Sequence, residues 1–381
     1  MPTPATSLPP LTYLSFDSLA EGVGVSQVLP YVERLGQRGL TVTIDSYEIG
    51  APSEAVAKRL ADVGVTWRPH AFGRGGAAGG VARVARAARY ITGARLVHAR
   101  ADLAAASALL GRCGPWVWDV RAFWREERIN QGMLRPGSPE ERVLRTVESR
   151  AARASAGIIT LTQRAIDILD KRHGAGVAAK ARVVTTCADL ERFTPGRPPP
   201  PDPLRLLLAG TLNRLYDVPT TIRFLQRVRA RRPAELTVLS PPGGPWDADL
   251  EAAGVAVGHV PPADMPAQVR SHHVGLSLRS FERPISSAAA TPTKLGEYLA
   301  CGLPVVVSPG LGDMDSFVRR YECGVVVEDP TDDGLDRAAR ELDRVLEDPA
   351  TGTRCRSLAE EHFNLDRGVD QLIAAYGAAL G

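Results

Sequence analysis

The densest group of chemistry-bearing residues is Thr291-Pro-Thr-Lys-Leu-Gly-Glu-Tyr-Leu-Ala-Cys-Gly-Leu-Pro-Val-Val306. A helix is expected to begin near Thr293. Its first-turn N–H groups have no intrahelical partner and sit at the positive end of the helix dipole, so they favour an anion such as phosphate. Lys294 adds a full charge at the same place. Glu297, one turn on, can accept hydrogen bonds from the two vicinal hydroxyls of a ribose, as acidic residues do at other nucleotide sites. Thr293, Lys294, Leu295 and Glu297 therefore form a candidate nucleoside-diphosphate site. A helix used only for packing is the alternative.

Four other loops carry polar residues in suggestive spacing. In Ala209-Gly-Thr-Leu-Asn-Arg-Leu-Tyr216, Gly210 and Thr211 follow an apolar run, and Arg214 could clamp a diphosphate with two parallel bonds. In Glu21-Gly-Val-Gly-Val-Ser26, Gly22 and Gly24 permit close backbone approach, and Ser26 reads as a helix N-cap. That loop lacks the third glycine of the dinucleotide fingerprint, and a tight turn without ligand is its other reading. His98 and Arg100 lie at spacing two, on one side of an extended chain. Asp119 and Arg121 repeat that spacing, with Trp118, Phe123 and Trp124 around them. Aromatic faces beside charged forks suit a sugar, and an Asp–Arg pair that only braces a loop is the alternative. Asp313-Met-Asp315 resembles a metal-binding pair, but it sits in a Gly-rich turn and is not assigned a metal. His272-His273 has no third ligand nearby in sequence.

The elements that must position these residues follow from length and pattern. The 381 residues suffice for two domains of about 150–200 residues. Hydrophobic content of 44% and charged content of 23% are those of a globular chain. A net charge of +3, with no basic stripe interleaved with aromatics, argues against nucleic acid. The five cysteines, an odd number with no C-x-x-C pair, fit reduced thiols. The first ten residues lack the basic and apolar regions of a signal peptide, and no apolar run is long enough to span a membrane. A cytoplasmic protein with at most peripheral membrane contact is expected.

Apolar runs at Leu11–Phe16, Leu40–Ile44, Val65–Trp67, Leu96–Ala99, Trp116–Val120, Ile158–Thr162 and Val183–Thr186 read as strands, with helices between several of them. Gly73–Gly80 reads as a flexible connection. The alternation restarts at Leu204 after a run of prolines that can be neither helix nor central strand. The expected organisation is an N-terminal α/β domain over 1–195, a proline linker over 196–203, and a C-terminal α/β domain over 204–362. A closing helix over 363–381 would pack back on the first domain. Two such parallel-sheet domains would face each other across a cleft, with ligands outside the carboxyl ends of strands.

The segment Pro292–Val306 resembles the donor-site signature of family 4 glycosyltransferases, retaining enzymes of the GT-B fold. Val25-Ser-Gln-Val-Leu-Pro-Tyr31, Leu96–Arg100, the Asp119-Val-Arg segment, Thr186–Phe193, Ser308–Asp313 and Gly324–Glu328 agree in order. The resemblance covers essentially the whole chain. It implies two doubly wound Rossmann-like domains and a hexosyltransferase that uses a nucleoside-diphosphate sugar as co-substrate, with no cofactor or metal. Arg214, Lys294, the helix start at Thr293 and the Gly22–Gly24 loop would stabilise charge on the leaving diphosphate. His98, Asp119 and Arg121 would orient the donor sugar or the acceptor, which is a small metabolite or an envelope glycan or lipid. Three positions depart from the family pattern. Ala289 stands where many members have a Glu, Arg121 where a His is common, and Arg214 alone represents an Arg-plus-Lys clamp. A sugar-nucleotide epimerase or an inactive nucleotide-binding partner would share the cleft. A nicotinamide dehydrogenase is disfavoured, since neither half has the full G-x-G-x-x-G fingerprint. Transfer activity is expected to survive chelation with EDTA; loss that is restored by added metal would overturn the rejection of Asp313 and Asp315.

Overall fold

A computed structural model describes residues 8–174, 176–282 and 284–381. Most of the N-terminal stretch tested for a signal peptide lies outside the described residues. The chain divides into two compact units, residues 1–185 with Leu365–Gly381, and residues 186–364.

The first unit is built on seven parallel strands. They are β1 (Leu11–Leu14), β2 (Val42–Glu48), β3 (Thr66–Ala71), β4 (Leu96–Arg100), β5 (Trp116–Val120), β6 (Gly157–Thr160) and β7 (Ala181–Val183), ordered β3-β2-β1-β4-β5-β6-β7. The second unit has six parallel strands. They are β8 (Leu204–Ala209), β9 (Ala234–Leu239), β10 (Ala256–Gly258), β11 (Val274–Ser277), β12 (Val305–Val307) and β13 (Gly324–Val326), ordered β10-β9-β8-β11-β12-β13. Each order reverses once, between β1 and β4 and between β8 and β11. Loops that leave adjacent strands in opposite directions open a crevice there, outside the carboxyl ends. The second sheet is buried on both faces. Leu207, Ala209, Val305 and Val307 belong to one apolar cluster, and Leu204, Leu206, Leu208 and Val306 to another. Continuous apolar strands are the consequence.

The helix Thr293–Ala300 is locked to this sheet by Tyr298, which is fully buried. The Ala209 N–H at the end of β8 donates to the Tyr298 hydroxyl at 2.8 Å. The ring lies so close to β11 that a Cβ on Gly275 would come within 2.0 Å of Tyr298 Cδ2. Only glycine fits there. At the other end of the helix, Arg356 donates to the Ala300 carbonyl at 2.9 Å and to the Phe193 carbonyl at 2.8 Å.

Several elements differ from those read in the sequence. The chain enters the second unit at Thr186, before the prolines rather than at them. The reason is pairing. Thr186 Oγ1 donates to the Thr291 carbonyl at 2.6 Å, Ala188 N–H donates to the Phe363 carbonyl at 2.7 Å, and Phe193 lies in the second unit's core. The final helix, Leu365–Ala379, does not differ: it belongs to the first unit, as read in the sequence, and packs on β5, β6 and the helix Leu29–Gln37. Gly76 already starts a helix that runs to Tyr90, so Gly73–Gly80 is not one flexible connection. Arg83 steadies its start by donating to the Phe72 and Arg74 carbonyls at 2.9 and 2.7 Å. Ser26 is not an N-cap. It lies inside a π-helical turn, Gly24–Val28, and its hydroxyl donates back to the Gly22 carbonyl at 3.2 Å. Replacing Tyr298 with Phe removes the acceptor for a buried N–H, which costs about 1–3 kcal/mol. A lowered urea midpoint for the second unit is expected; an unchanged midpoint would show that Tyr298 acts by packing alone.

Candidate functional site

Two polar groups lie at the crevice-forming strand ends, one in each unit. In the second unit, β8 leads into Gly210, whose φ of +99° suits a residue without a side chain. The Lys294 Nζ would stand 3.7 Å from a Cβ built there. Lys294 is only 6% exposed; the Tyr216 hydroxyl is the one side-chain group within its reach that favours its charged form by hydrogen bonding, the contact falls outside good hydrogen-bond geometry, and no described carboxylate pairs with its Nζ. It lies 4.1 Å from the centre of the Tyr216 ring. Burial lowers its pKa and Arg279 adds to that effect, while Tyr216 and Glu297 oppose it. The helix start beside it has Pro292 at the cap position, which supplies no side-chain acceptor to the first-turn N–H groups.

Arg279, which no sequence pattern singled out, completes this group. It is the second residue after β11 and is also only 6% exposed. Its guanidinium lies 5.7 Å from the same Tyr216 ring. A single antiparallel bridge pairs Tyr216 with Arg279, and Asp217 N–H donates to the Leu278 carbonyl at 3.1 Å. No described carboxylate forms an ion pair with Lys294 or Arg279. A buried charge without a partner costs several kcal/mol, so two at one place leave an electrostatic deficit that an anion could offset.

Glu297 is half-buried, and no described residue donates a hydrogen bond to its carboxylate. Burial pushes its pKa up to about 7, against the pull of Arg192 and Lys294. Leu295 is fully buried in the core and holds the helix rather than a ligand. Thr211 and Arg214 are exposed, and Arg214 has no hydrogen bond or ion pair with any described residue. Arg214 makes no contact of this kind with Lys294, and the guanidinium that shares the Tyr216 ring with Lys294 is that of Arg279. Ala289 is completely buried, so nothing at this position replaces a carboxylate. Asp315 is committed to its own turn, accepting from Gly310 N–H at 3.3 Å and Ser316 N–H at 3.0 Å. Among the described residues, no three His, Cys, Asp or Glu side chains cluster so as to hold a metal. His272 Nδ1 lies 2.7 Å from the Gln268 carbonyl, and His273 Nδ1 accepts from Arg205 N–H at 2.9 Å.

In the first unit, His98, Asp119, Arg100 and Arg121 do come together, around the ends of β4 and β5. His98 is fully buried and stacks on Tyr13 at 4.0 Å. Its Nε2 lies 3.1 Å from Asp119 Oδ2 and its Nδ1 3.0 Å from the Tyr376 hydroxyl. Burial would raise the Asp119 pKa, but Arg121, His98 and Arg100 outweigh it and hold the carboxyl well below the usual range. An ionised carboxylate only accepts, so Nε2 carries the proton and Nδ1 accepts from Tyr376. Burial also lowers the His98 pKa, which keeps the ring neutral. Both ring nitrogens of His98 are thus engaged, one by Asp119 and one by Tyr376.

Arg100 donates from Nε to Asp17 at 2.8 Å, and Arg121 Nη1 lies 3.4 Å from Asp119 Oδ1. The Nε–Nη2 edge of Arg121 has no acceptor among the described residues. Arg121 therefore has a whole edge to spare, whereas Arg100 lacks a hydrogen-bond acceptor only at Nη1, which lies 3.6 Å from Asp119 Oδ2. Gly22 is exposed in its loop. Gly24 is a glycine for packing, since a Cβ there would fall 1.7 Å from the Ser18 carbonyl oxygen.

Residues 220–373 match a family model described as glycosyl transferase-like. The enzyme class is thereby that of the glycosyltransferases. No curated protein matches the chain by sequence. Solved structures match over nearly its whole length. Sucrose-phosphate synthase from Thermosynechococcus elongatus is 15% identical and covers 95% of this chain and 97% of its own, with a TM-score of 0.71. HepE from Anabaena, in complex with UDP-glucose, is 14% identical over 96% and 98%, with a TM-score of 0.68. WaaG, a glycosyltransferase involved in lipopolysaccharide biosynthesis, is 16% identical over 95% and 99%, with a TM-score of 0.68. The fold of the glycosyl transferase-like chain is GT-B, with two Rossmann-like parallel-sheet domains.

The raised pKa of Glu297 makes a testable statement about stability. Its folded value, about 7, exceeds the ordinary 4.5. The protonated form is favoured in the native state, so the stabilisation is fully present below the ordinary value and is lost as pH rises through about 7. Glu297→Gln should gain stability relative to the parent chain across that window. A difference that stays flat from pH 4.5 to 8, by denaturant titration, would contradict a buried ionisable Glu297.

Proposed function

We propose that this chain is a retaining glycosyltransferase that moves a hexosyl group from a nucleoside-diphosphate donor to an acceptor. The observation that carries the reading is the uncompensated positive charge at the β8–β11 crevice. Lys294 is buried there with no described carboxylate paired to it, beside a helix start whose first turn lacks a side-chain cap. A diphosphate brings negative charge and many acceptor oxygens to that place, and its bonds to the cation are charge-assisted. Glu297, one turn along the same helix and unengaged, would take the ribose hydroxyls. UDP is the first base to test, since HepE is described with UDP-glucose.

The chemistry then depends on the leaving group. Cleavage of the sugar–phosphate bond leaves charge on the diphosphate and an oxocarbenium-like centre on the sugar. Fixed cations in a desolvated site stabilise that charge more than water does. Among the described residues, the second unit offers no pair of carboxylates in an ion pair with Lys294 that would act as a covalent nucleophile and an acid. With Ala289 buried, retention by front-face attack is the more economical route, the leaving oxygen receiving the acceptor's proton. In the first unit, the free edge of Arg121 would bind hydroxyl or anionic oxygens of a sugar, with Asp119 and His98 fixing its orientation. The acceptor is a small metabolite or an envelope glycan or lipid, and the enzyme works in the cytoplasm. No cysteine is in a disulfide, and no helix is long and apolar enough to cross a membrane, among the described residues.

A thermal-shift screen of nucleoside diphosphates and their sugars identifies the donor. With that donor, Lys294→Ala should lower kcat by about tenfold or more, a loss of roughly 1.4 kcal/mol or greater, and the glycoside formed should keep the donor's anomeric configuration. Glu297→Ala should weaken nucleoside-diphosphate binding by about 1–3 kcal/mol. Unchanged kinetics in Lys294→Ala, an inverted product, or an epimerised sugar nucleotide without glycoside would each refute part of this reading.

A further inference from the structure

The buried charge at the β8–β11 crevice has two bearers, and the helix motif accounts for only one of them. We propose that Arg279 is the second phosphate ligand of the donor site, gripping the same diphosphate as Lys294 through its planar fork; this rests on the donor-site reading above.

Position is the first ground. Arg279 is the second residue after β11, and its backbone is fixed on both sides. Its N–H donates to Ser308 Oγ at 3.0 Å, and it bridges to Tyr216 in the loop after β8. The side chain therefore leaves from the point where strand order reverses. Unsatisfied bonding capacity is the second ground. Arg279 is 6% exposed, yet its Nε has no acceptor and no described carboxylate pairs with the guanidinium. A surface arginine can leave its donors to water, but a buried one cannot. The third ground is the shared ring. Lys294 Nζ and the Arg279 guanidinium both lie by Tyr216, at 4.1 and 5.7 Å from its centre. A cation gains only modestly on an aromatic face. That is less than the cost of desolvating each charge and holding two like charges near one ring. A bound anion of at least two charges would remove the deficit.

The two cations differ in what they can do. An ammonium is a point charge, whereas a guanidinium binds two oxygens of one phosphate in a fixed plane. Arg279 should accordingly govern how strongly the site distinguishes a diphosphate from a monophosphate. A purely bracing role, with the guanidinium holding the Tyr216 loop, would affect both ligands alike.

The test is calorimetric titration of the full-length chain with UDP, ADP and GDP and with the corresponding monophosphates. Arg279→Gln, Arg279→Lys and Lys294→Ala are compared with the parent. Arg279→Gln is expected to weaken the preferred diphosphate at least tenfold and its monophosphate much less, so that their affinity ratio shrinks. Arg279→Lys should restore part of the loss, and it serves as the readout if Arg279→Gln does not fold. If both Arg279 variants bind the diphosphate as the parent does while Lys294→Ala is weakened, the role of Arg279 is rejected and the donor site stands. Parallel losses for diphosphate and monophosphate would likewise overturn it, as bracing. If the parent binds none of the three diphosphates, the donor-site reading falls and Arg279 falls with it.

Discussion

Two buried cations that form no ion pair with any described residue dominate the second unit. Lys294 comes from the start of one helix and Arg279 from the end of one strand, and the ring of Tyr216 is their shared neighbour. A folded chain rarely keeps such a charge pair in a dry place, because hydration is lost and nothing returns it. The surrounding architecture holds the pair in position. Tyr298 ties the Lys294 helix to β8, Gly275 lets that ring approach β11, and Ser308 fixes the Arg279 backbone. The sites where a protein stores uncompensated charge are those where a ligand is expected to supply it.

The first unit repeats the topology but not the charge. At its own strand-order reversal, Arg100 is paired with Asp17, and Asp119 is shared among His98, Arg100 and Arg121. The charges there nearly cancel, and the neutral His98 is clasped between Asp119 and Tyr376. Such a cluster is suited to holding neutral hydroxyls in a set orientation, with the free edge of Arg121 as its reactive margin. The same doubly wound plan thus produces a charge-neutral polar cluster in one unit and a cationic site in the other, through a few residues at strand ends. This is the sense in which function is grafted on fold.

Much of this was legible in the chain of residues. The alternation of short apolar runs with helical stretches marks two parallel-sheet units, because strands buried on both faces must be apolar throughout. The helix at Thr293, with Lys294 and Glu297 one turn apart, stands out for the same local reason. What was missed depends on non-local contacts or on uniform composition. The helix Ala101–Leu110 is rich in alanine on all sides and shows no apolar stripe, since it packs against both a strand and other helices. Arg279 sits in Ser277-Leu-Arg-Ser280, which has no motif; its meaning comes from Tyr216, in a different strand-end loop. His98 looked available for chemistry because Tyr376, which closes its second nitrogen, arrives from the far end of the chain. The boundary at Thr186 was masked by the prolines that follow it, a stronger compositional signal than a few backbone hydrogen bonds.

The most direct measurement is a crystal structure of the chain with UDP, or with whichever nucleoside diphosphate binds best. The account predicts phosphate oxygens about 3 Å from both Lys294 Nζ and the Arg279 guanidinium, with the Tyr216 ring moved off Lys294 to admit them. A diphosphate bound at another place, with Tyr216 still lying over Lys294, would contradict it.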